Sequence, residues 1–285
     1  MKTSSKKIQY AYLTVITLLI IFLYFEVFQD LVHEWFNNPD YSHGFIIPVV
    51  ALYMVWGTRD TLKTTPTNPS NWGFLILIIG AVGFIAGYIG AEHFLQRTSF
   101  LIVIMGTVVS LAGLNFARII IVPVLFLVFM IPLPAIIWKD FAFSLKLFAT
   151  GVAVYFMDAL GMAVLRQGNV IHLPGTVLEV VDACSGLRSL VSLLAMSVII
   201  AYYSALMSWK KWVLILSAIP IAITSNIIRL IITALLTQRV GLQVTEGVYH
   251  SLSGLFTFIL GLGMFFVVYR ILSLRMSKVV ANHEE

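Results

Sequence analysis

The chain has 285 residues, 60% hydrophobic and only 11% charged, which excludes a soluble globular domain and points to a polytopic membrane protein. Its net charge of +5 would suggest nucleic acid in a soluble protein, but here the basic residues fall in short loops between apolar runs, so they report orientation and no nucleic-acid partner is expected. With a single cysteine, an internal disulfide is excluded.

Lys2, Lys6 and Lys7 precede an apolar run over residues 10–28. It is too long for the core of a cleavable leader and is followed by no small-residue cleavage site, so it is expected to remain as an anchor. A polar segment, 29–43, leads into Asp40-Tyr41-Ser42-His43-Gly44. The second span, 44–57, is short and broken by Pro48, with Arg59 and Lys63 at its end. In the third, 72–90, Gly80, Gly83, Gly87 and Gly90 recur every three or four residues, a small-residue face for close helix packing. The fourth span covers 98–114; the fifth, 119–131, stops at Pro132-Leu133-Pro134.

Residues 138–160 are apolar but carry Lys139, Asp140, Lys146 and Asp158, which fits an amphipathic helix along the interface better than a crossing. Residues 163–175 read as a hairpin turning around Gln167-Gly168-Asn169. Because non-helical backbone cannot face lipid, the hairpin must lie in water or on protein. It runs into Glu179-Val180-Val181-Asp182-Ala183-Cys184-Ser185-Gly186-Leu187-Arg188-Ser189. With Asp182 as a helix N-cap, Cys184 would fall in the first turn, where free N–H groups, the helix dipole and Arg188 one turn on favour a thiolate. Asp182 and Glu179 oppose that effect, and the bland reading of a lone cysteine is a small buried hydrophobe.

The sixth span, 187–206, ends at Ser208-Trp209-Lys210-Lys211. The seventh, 212–236, contains Pro220, Asn226 and Arg229; the eighth starts near His250, ends at Tyr269 and precedes a basic tail. With the N-terminus inside, eight spans place eleven of the eighteen Lys and Arg on inside loops, so both termini are expected in the cytoplasm. Cys184, Arg229 and His250 then converge at one depth on the outer face. An intramembrane arginine marks function unless it snorkels to the interface. Asn226, three residues earlier, shares its helix face. His250 is the best general base for a thiol, His43 is its rival, and His172 and His93 also lie outside. No CxxC, HExxH, GxSxG or phosphate-loop pattern occurs, so no metal or cofactor is expected.

Ala183-Cys184-Ser185-Gly186-Leu187-Arg188-Ser189, Asn226-Ile227-Ile228-Arg229, His250 with Gly254, and Asp40-Tyr41-Ser42-His43-Gly44 with Ile47-Pro48 together resemble the exosortase and archaeosortase family, over essentially the whole chain. These are polytopic membrane cysteine transpeptidases. The resemblance implies an all-α membrane protein and makes Cys184, Arg229 and His250 the catalytic residues. Arg188, Asn226 and His43 are candidates for orienting substrate. It further implies substrates that are exported proteins with a short C-terminal signal, often Pro-Glu-Pro (the PEP-CTERM system), then a transmembrane helix and a basic tail, in Gram-negative bacteria that make exopolysaccharide. The active site would face the periplasm from the inner membrane. About eight transmembrane helices are expected, with an extracytoplasmic amphipathic helix and a short hairpin, in one domain over 1–285 without an additional C-terminal domain. Two other readings stand beside it: a multi-span transporter with Arg229 and Asn226 on its path, and a non-catalytic assembly protein for polysaccharide export.

Overall fold

A computed structural model describes residues 14–181, 186–241, 243 and 247–281, with the side chains of 250, 251 and 275–281 left aside. It is an all-α polytopic membrane protein with one small sheet. Five described helices are long and apolar enough to cross a bilayer, and a bent pair makes a sixth candidate; two shorter apolar helices, Leu114–Met130 and Leu187–Tyr203, have 17 residues each. The chain divides into two compact units, Met1–Pro134 and Ala135–Glu285.

The first unit contains α1 (Thr14–Leu23), α2 (Phe25–Asn37), α3 (Ile46–Gly57), α4 (Arg59–Thr64), α5 (Trp72–Ile89), α6 (His93–Leu111) and α7 (Leu114–Phe126). The run expected over 10–28 does not continue straight. It bends by 59° between α1 and α2. Beyond the bend, Glu26 and Asp30 would be costly in hydrocarbon, whereas α2 is amphipathic and buries Val27, Leu31 and Trp35 along one stripe. The glycine face of α5 holds in part and with a heptad spacing: Gly80 and Gly87 are buried together with Gly73, while Gly83 is half-buried and Gly90 is exposed. A Cβ on Gly80 would stand 2.7 Å from Val103, and one on Gly87 2.8 Å from Gln96, so only glycine lets α6 approach this closely.

Hydrogen bonds sort the connections of this unit into two ends. At the first, Tyr24 Oη and Ser99 Oγ are 2.8 Å apart, Arg97 pairs with Glu34 at 2.9 Å, and Trp35 Nε1 donates to the Met130 carbonyl at 2.9 Å. At the second, the N–H groups of Asn68 and Ser70 donate to the carbonyls of Ala112 and Val109. The chain therefore passes from the first end to the second through α3 and α4, returns along α5, and goes out and back along α6 and α7. At 12 residues, α3 is about 18 Å long, short of a hydrocarbon core of about 30 Å, and α4, which follows it, is a charged turn with no buried residue, so this segment is not among the helices long enough to cross. Pro48 lies in the first turn of α3, where a missing N–H costs no helix bond, so it starts the helix and does not break it.

The second unit contains α8 (Ala135–Ala159), strands β1 (Leu165–Gln167), β2 (Val170–Leu173) and β3 (Thr176–Glu179), then α9 (Leu187–Tyr203), α10 (Ser208–Val240) and α11 (Gly247–Ala281). The hairpin is present, with Gln167 opposite Val170 and Gly168 at φ +63° in the two-residue turn. A third antiparallel strand, unforeseen in the sequence, pairs with β2 through Leu173 and Thr176. One face of this sheet, Ile171, Leu173 and Leu178, packs with Ala149, Ala153 and Met157 of α8 and with Ile227, Leu230 and Ala234 of α10. Helix α8, expected from its charges to lie along the interface, has the length and apolarity to cross, with a mean hydropathy of 1.3. Helices α9, α10 and α11 enclose a second core around Leu193, Leu214, Ala218, Ala222 and Phe265. A Cβ on Gly261 would come within 2.8 Å of Leu193, which fixes how closely α11 meets α9.

Candidate active site

Helix α9 begins at Leu187 with Gly186 as its N-cap, four residues later than the Asp182 start read from the sequence. The first-turn argument for Cys184 and the one-turn spacing to Arg188 therefore do not follow from α9. Cys184 itself lies outside the described residues. Gly186, two residues after it, adopts φ +86°, the left-handed region that glycine enters at little cost. A Cβ there would also meet Asn226 at 2.9 Å. Both constraints act on one position, and together they seat the start of α9 against the middle of α10.

Asn226 is 1% exposed and Arg229, one turn along α10, 6%. Arg229 thus does not snorkel into solvent. Its Nε donates to Ser253 Oγ of α11 at 3.1 Å. Ser253 is held in turn, since its carbonyl accepts from the hydroxyl of the fully buried Thr257 at 2.7 Å. Of His250 only the backbone is described, in the first turn of α11. It precedes Ser253 by three residues, a spacing that puts the two positions on one helix face. The structure therefore brings the N-cap of α9, Asn226, Arg229 and the backbone of residue 250 to one level.

A second cation calibrates that level. Lys210 Nζ donates to the Leu272 carbonyl of α11 at 2.8 Å. Between this contact and the one at Arg229, each helix advances 19 residues, from 210 to 229 on α10 and from 253 to 272 on α11. At 1.5 Å per residue this is about 28 Å, close to one hydrocarbon thickness. The two contacts are thus spaced along the helix pair by about the thickness of a hydrocarbon core.

Between α10 and α11 is a cavity of about 230 Å³, lined by Arg229, Ile232, Thr233 and Leu236 on one side and by Tyr249, Leu252, Ser253 and Phe256 on the other. Arg188 is exposed in the first turn of α9. His43 belongs to the first unit, in a 3-10 turn over Pro39–Phe45, with Nε2 3.0 Å from the Phe129 carbonyl oxygen. Burial pushes its pKa below the ordinary imidazole value, against the opposing pull of the Phe129 and Asp40 carbonyls. His172 is tied to Gln167 within the sheet, at 3.1 Å. No cluster of three or more His, Cys, Asp or Glu able to hold a metal occurs among the described residues. Ser253 and the double constraint on Gly186 escaped the sequence reading. The only signal for Ser253 was its place one turn after His250.

No curated protein and no solved structure matches the chain. A protein-family model does, the one described as transmembrane exosortase (Exosortase_EpsH), over residues 35–267. The match runs through both units and includes positions 184, 229 and 250. On that match, the chain belongs to the transmembrane exosortase family.

Proposed function

We propose that this exosortase is a cysteine transpeptidase that cuts exported proteins at a C-terminal signal of the Pro-Glu-Pro kind, beside their transmembrane helix, through a thioester on Cys184. The observation that carries the reading is the meeting of three helices at one level: Gly186 of the cysteine segment on Asn226, and Arg229 of α10 on Ser253 of α11, one turn from His250. The family match, which spans both units, supports treating them as one functional domain. The chain would lie in the bacterial inner membrane with both termini cytoplasmic and the site periplasmic, and its partners would be membrane-anchored exported proteins.

In the proposed reaction, His250 accepts the proton of the Cys184 thiol and the sulfur attacks the carbonyl carbon of the scissile peptide bond. Negative charge gathers on the carbonyl oxygen. Arg229, whose Nε donates to Ser253, would present its guanidinium either to this oxyanion or to an acidic side chain of the signal. As the tetrahedral adduct collapses, the C–N bond breaks and His250 returns its proton to the departing amine, which leaves with the transmembrane helix and basic tail. An amine acceptor then attacks the thioester, giving up a proton to His250 and restoring the thiol; water in its place gives simple hydrolysis.

The test is processing in cells that co-express a substrate with a Pro-Glu-Pro signal, with wild type compared to Cys184→Ala and Cys184→Ser at equal membrane levels. The shortened product should vanish in both variants. Normal processing by Cys184→Ala would remove the thiol from the reaction and the proposal with it.

A further inference from the structure

The three-stranded sheet of the second unit has β2 at its centre and two edges, β1 and β3. On β3 the register with β2 fixes which main-chain groups are already used. The Pro174-Gly175 turn closes on the pair Leu173 and Thr176. At the far end, the Val180 N–H donates to the Asn169 carbonyl at 2.9 Å, and Asn169 Nδ2 donates to the Val180 carbonyl at 3.1 Å. An antiparallel ladder bonds alternate residues, so Thr176, Leu178 and Val180 turn their N–H and C=O groups towards β2, and Val177 and Glu179 turn theirs away. Among the described residues no hydrogen bond takes up those outward groups. The side chains there are open as well: Val177 and Val181 are half-exposed and Glu179 is exposed.

An open edge of this kind invites pairing, and proteins usually block it with lysine, proline, a bulge or a covering segment. The β1 edge is guarded. It is three residues long, and Arg166, at its outward-pointing position, is folded back onto the carbonyls of Gly168 and Leu147 at 2.8 and 2.9 Å. Along Thr176-Val177-Leu178-Glu179-Val180-Val181 there is no lysine, arginine or proline. This second edge also leads towards the candidate site. Its inner side chains, Leu178 and Val180, share a core with Ile227 and Leu230, the sequence neighbours of Asn226 and Arg229 on α10. Cys184 follows four residues after Val180, a length of chain that spans at most about 14 Å.

The unspent groups name the chemistry of their occupant. A row that alternates N–H and C=O at strand spacing is matched by another extended main chain, whereas a lipid or a small solute offers no such repeat. We propose that β3 is a backbone-docking edge: an extended stretch of the protein substrate adds to the sheet as a fourth strand beside Val177 and Glu179, and is thereby led to the cysteine segment. The proposal rests on the sorting reading above and adds to it the part of the chain that holds the substrate's main chain. It has a stereochemical consequence. Successive residues of a docked strand turn their N–H groups to opposite edges, so only every second N–H can reach β3. Proline fits such a strand only where its missing N–H faces away. In a signal of the Pro-Glu-Pro kind, both prolines would then face away from β3 and the glutamate N–H towards it.

Binding is measured without cleavage, on Cys184→Ala protein in nanodiscs, with a fluorescein-labelled soluble peptide that carries Pro-Glu-Pro and four residues on each side. The peptide is resynthesised with one N-methyl group at a time. Methylation of the glutamate N–H, or of the N–H two places to either side, should weaken binding about tenfold, the worth of one lost hydrogen bond and the bulk of the methyl group. At the two proline positions, alanine and N-methylalanine should bind within twofold of each other. On the protein, Val177→Pro and Glu179→Pro each delete an outward N–H while sparing the ladder to β2, and should weaken binding about tenfold; Val177→Thr and Glu179→Gln keep the N–H and should not. Should a proline variant lose its fold, as its melting curve would show, the N-methyl series on the unaltered sheet still decides. Equal losses at successive positions, or no binding of the parent peptide, would overturn the proposal. So would a disulfide between two copies bearing Val177→Cys, in the Cys184→Ala background, that the peptide does not suppress, since a second copy of this chain would then be the occupant. An alternating profile on a protein whose wild type never cleaves would refute the reaction alone; cleavage of the full substrate with a flat profile would refute the docking edge alone.

Discussion

Replacing Gly186 by alanine separates two contributions that the structure superimposes at one residue. The first is backbone strain, since a side chain at φ +86° costs about 1–2 kcal/mol wherever it occurs. The second is contact. The new Cβ would stand 2.9 Å from Cγ of Asn226, where ordinary contacts begin near 3.4 Å, so Asn226 or the N-cap of α9 must yield by about half an ångström. Gly161, at φ +81° with nothing within 4 Å, supplies the control, because Gly161→Ala carries the strain alone. Both variants should lose similar stability in thermal melts of detergent-solubilised protein. Only Gly186→Ala should also lose processing of a co-expressed substrate, by about tenfold, given that 1 Å of misplacement costs about 100-fold. Adding Asn226→Ala to Gly186→Ala should cost less than the two single effects combined, because the pressed group is gone. Processing by Gly186→Ala within twofold of Gly161→Ala would refute the view that the seat of Gly186 on Asn226 sets the position of the cysteine segment.

Three further outcomes are expected. Ser253→Ala removes the acceptor of the Arg229 Nε proton and should lower processing about tenfold, while Ser253→Thr, which keeps the hydroxyl, should retain most of it; equal losses in both would point to packing and not the hydrogen bond. Glu34→Gln leaves the guanidinium of Arg97, only 6% exposed, without its carboxylate and should destabilise the first unit by about 2 kcal/mol, less than a fully buried pair because Glu34 is partly solvated; an unchanged melting temperature would contradict this. His43 has its pKa lowered on folding, so the unfolded chain takes up the proton first as pH falls. Stability should therefore be full above about pH 6.5 and decline below it, and His43→Gln should flatten the melting-temperature profile between pH 7 and 5.

What the sequence made legible was periodic or chemically extreme. The hairpin around Gly168 followed from β-branched strands and turn residues, and the glycine face of α5 from its spacing. Arg229 stood out because an arginine in an apolar run has few tolerable surroundings. The bend before Phe25 was not legible, since the apolar run continues through it and only the tertiary hydrogen bond of Tyr24 to Ser99 reveals where the chain is held. Strand β3 stayed hidden because Thr176–Glu179 is too short for an alternation to register. The start of α9 was misplaced for a plain reason: Asp182 is the better capping side chain, but Gly186 wins through a left-handed turn and a tertiary contact that no local propensity encodes. Ser253 gave no warning beyond its place one turn after His250, a common small residue whose value arises from the arginine across from it.

The paired contacts of Lys210 and Arg229 on α11 make α10 and α11 a ruler as well as a scaffold. Their length is set in residues, whereas the bilayer they cross can thicken or thin with its lipids. In a thicker membrane the arginine would lie deeper below the headgroups, and in a thinner one nearer to them, each at a cost of a fraction of a kcal/mol per ångström. A protein substrate of the proposed kind, emerging from the same bilayer, would shift by its own helix length, so the bond offered to the site would depend on how two rulers agree. Lipid thickness, varied in vesicles of defined chain length, would then act on cut position without touching a single side chain.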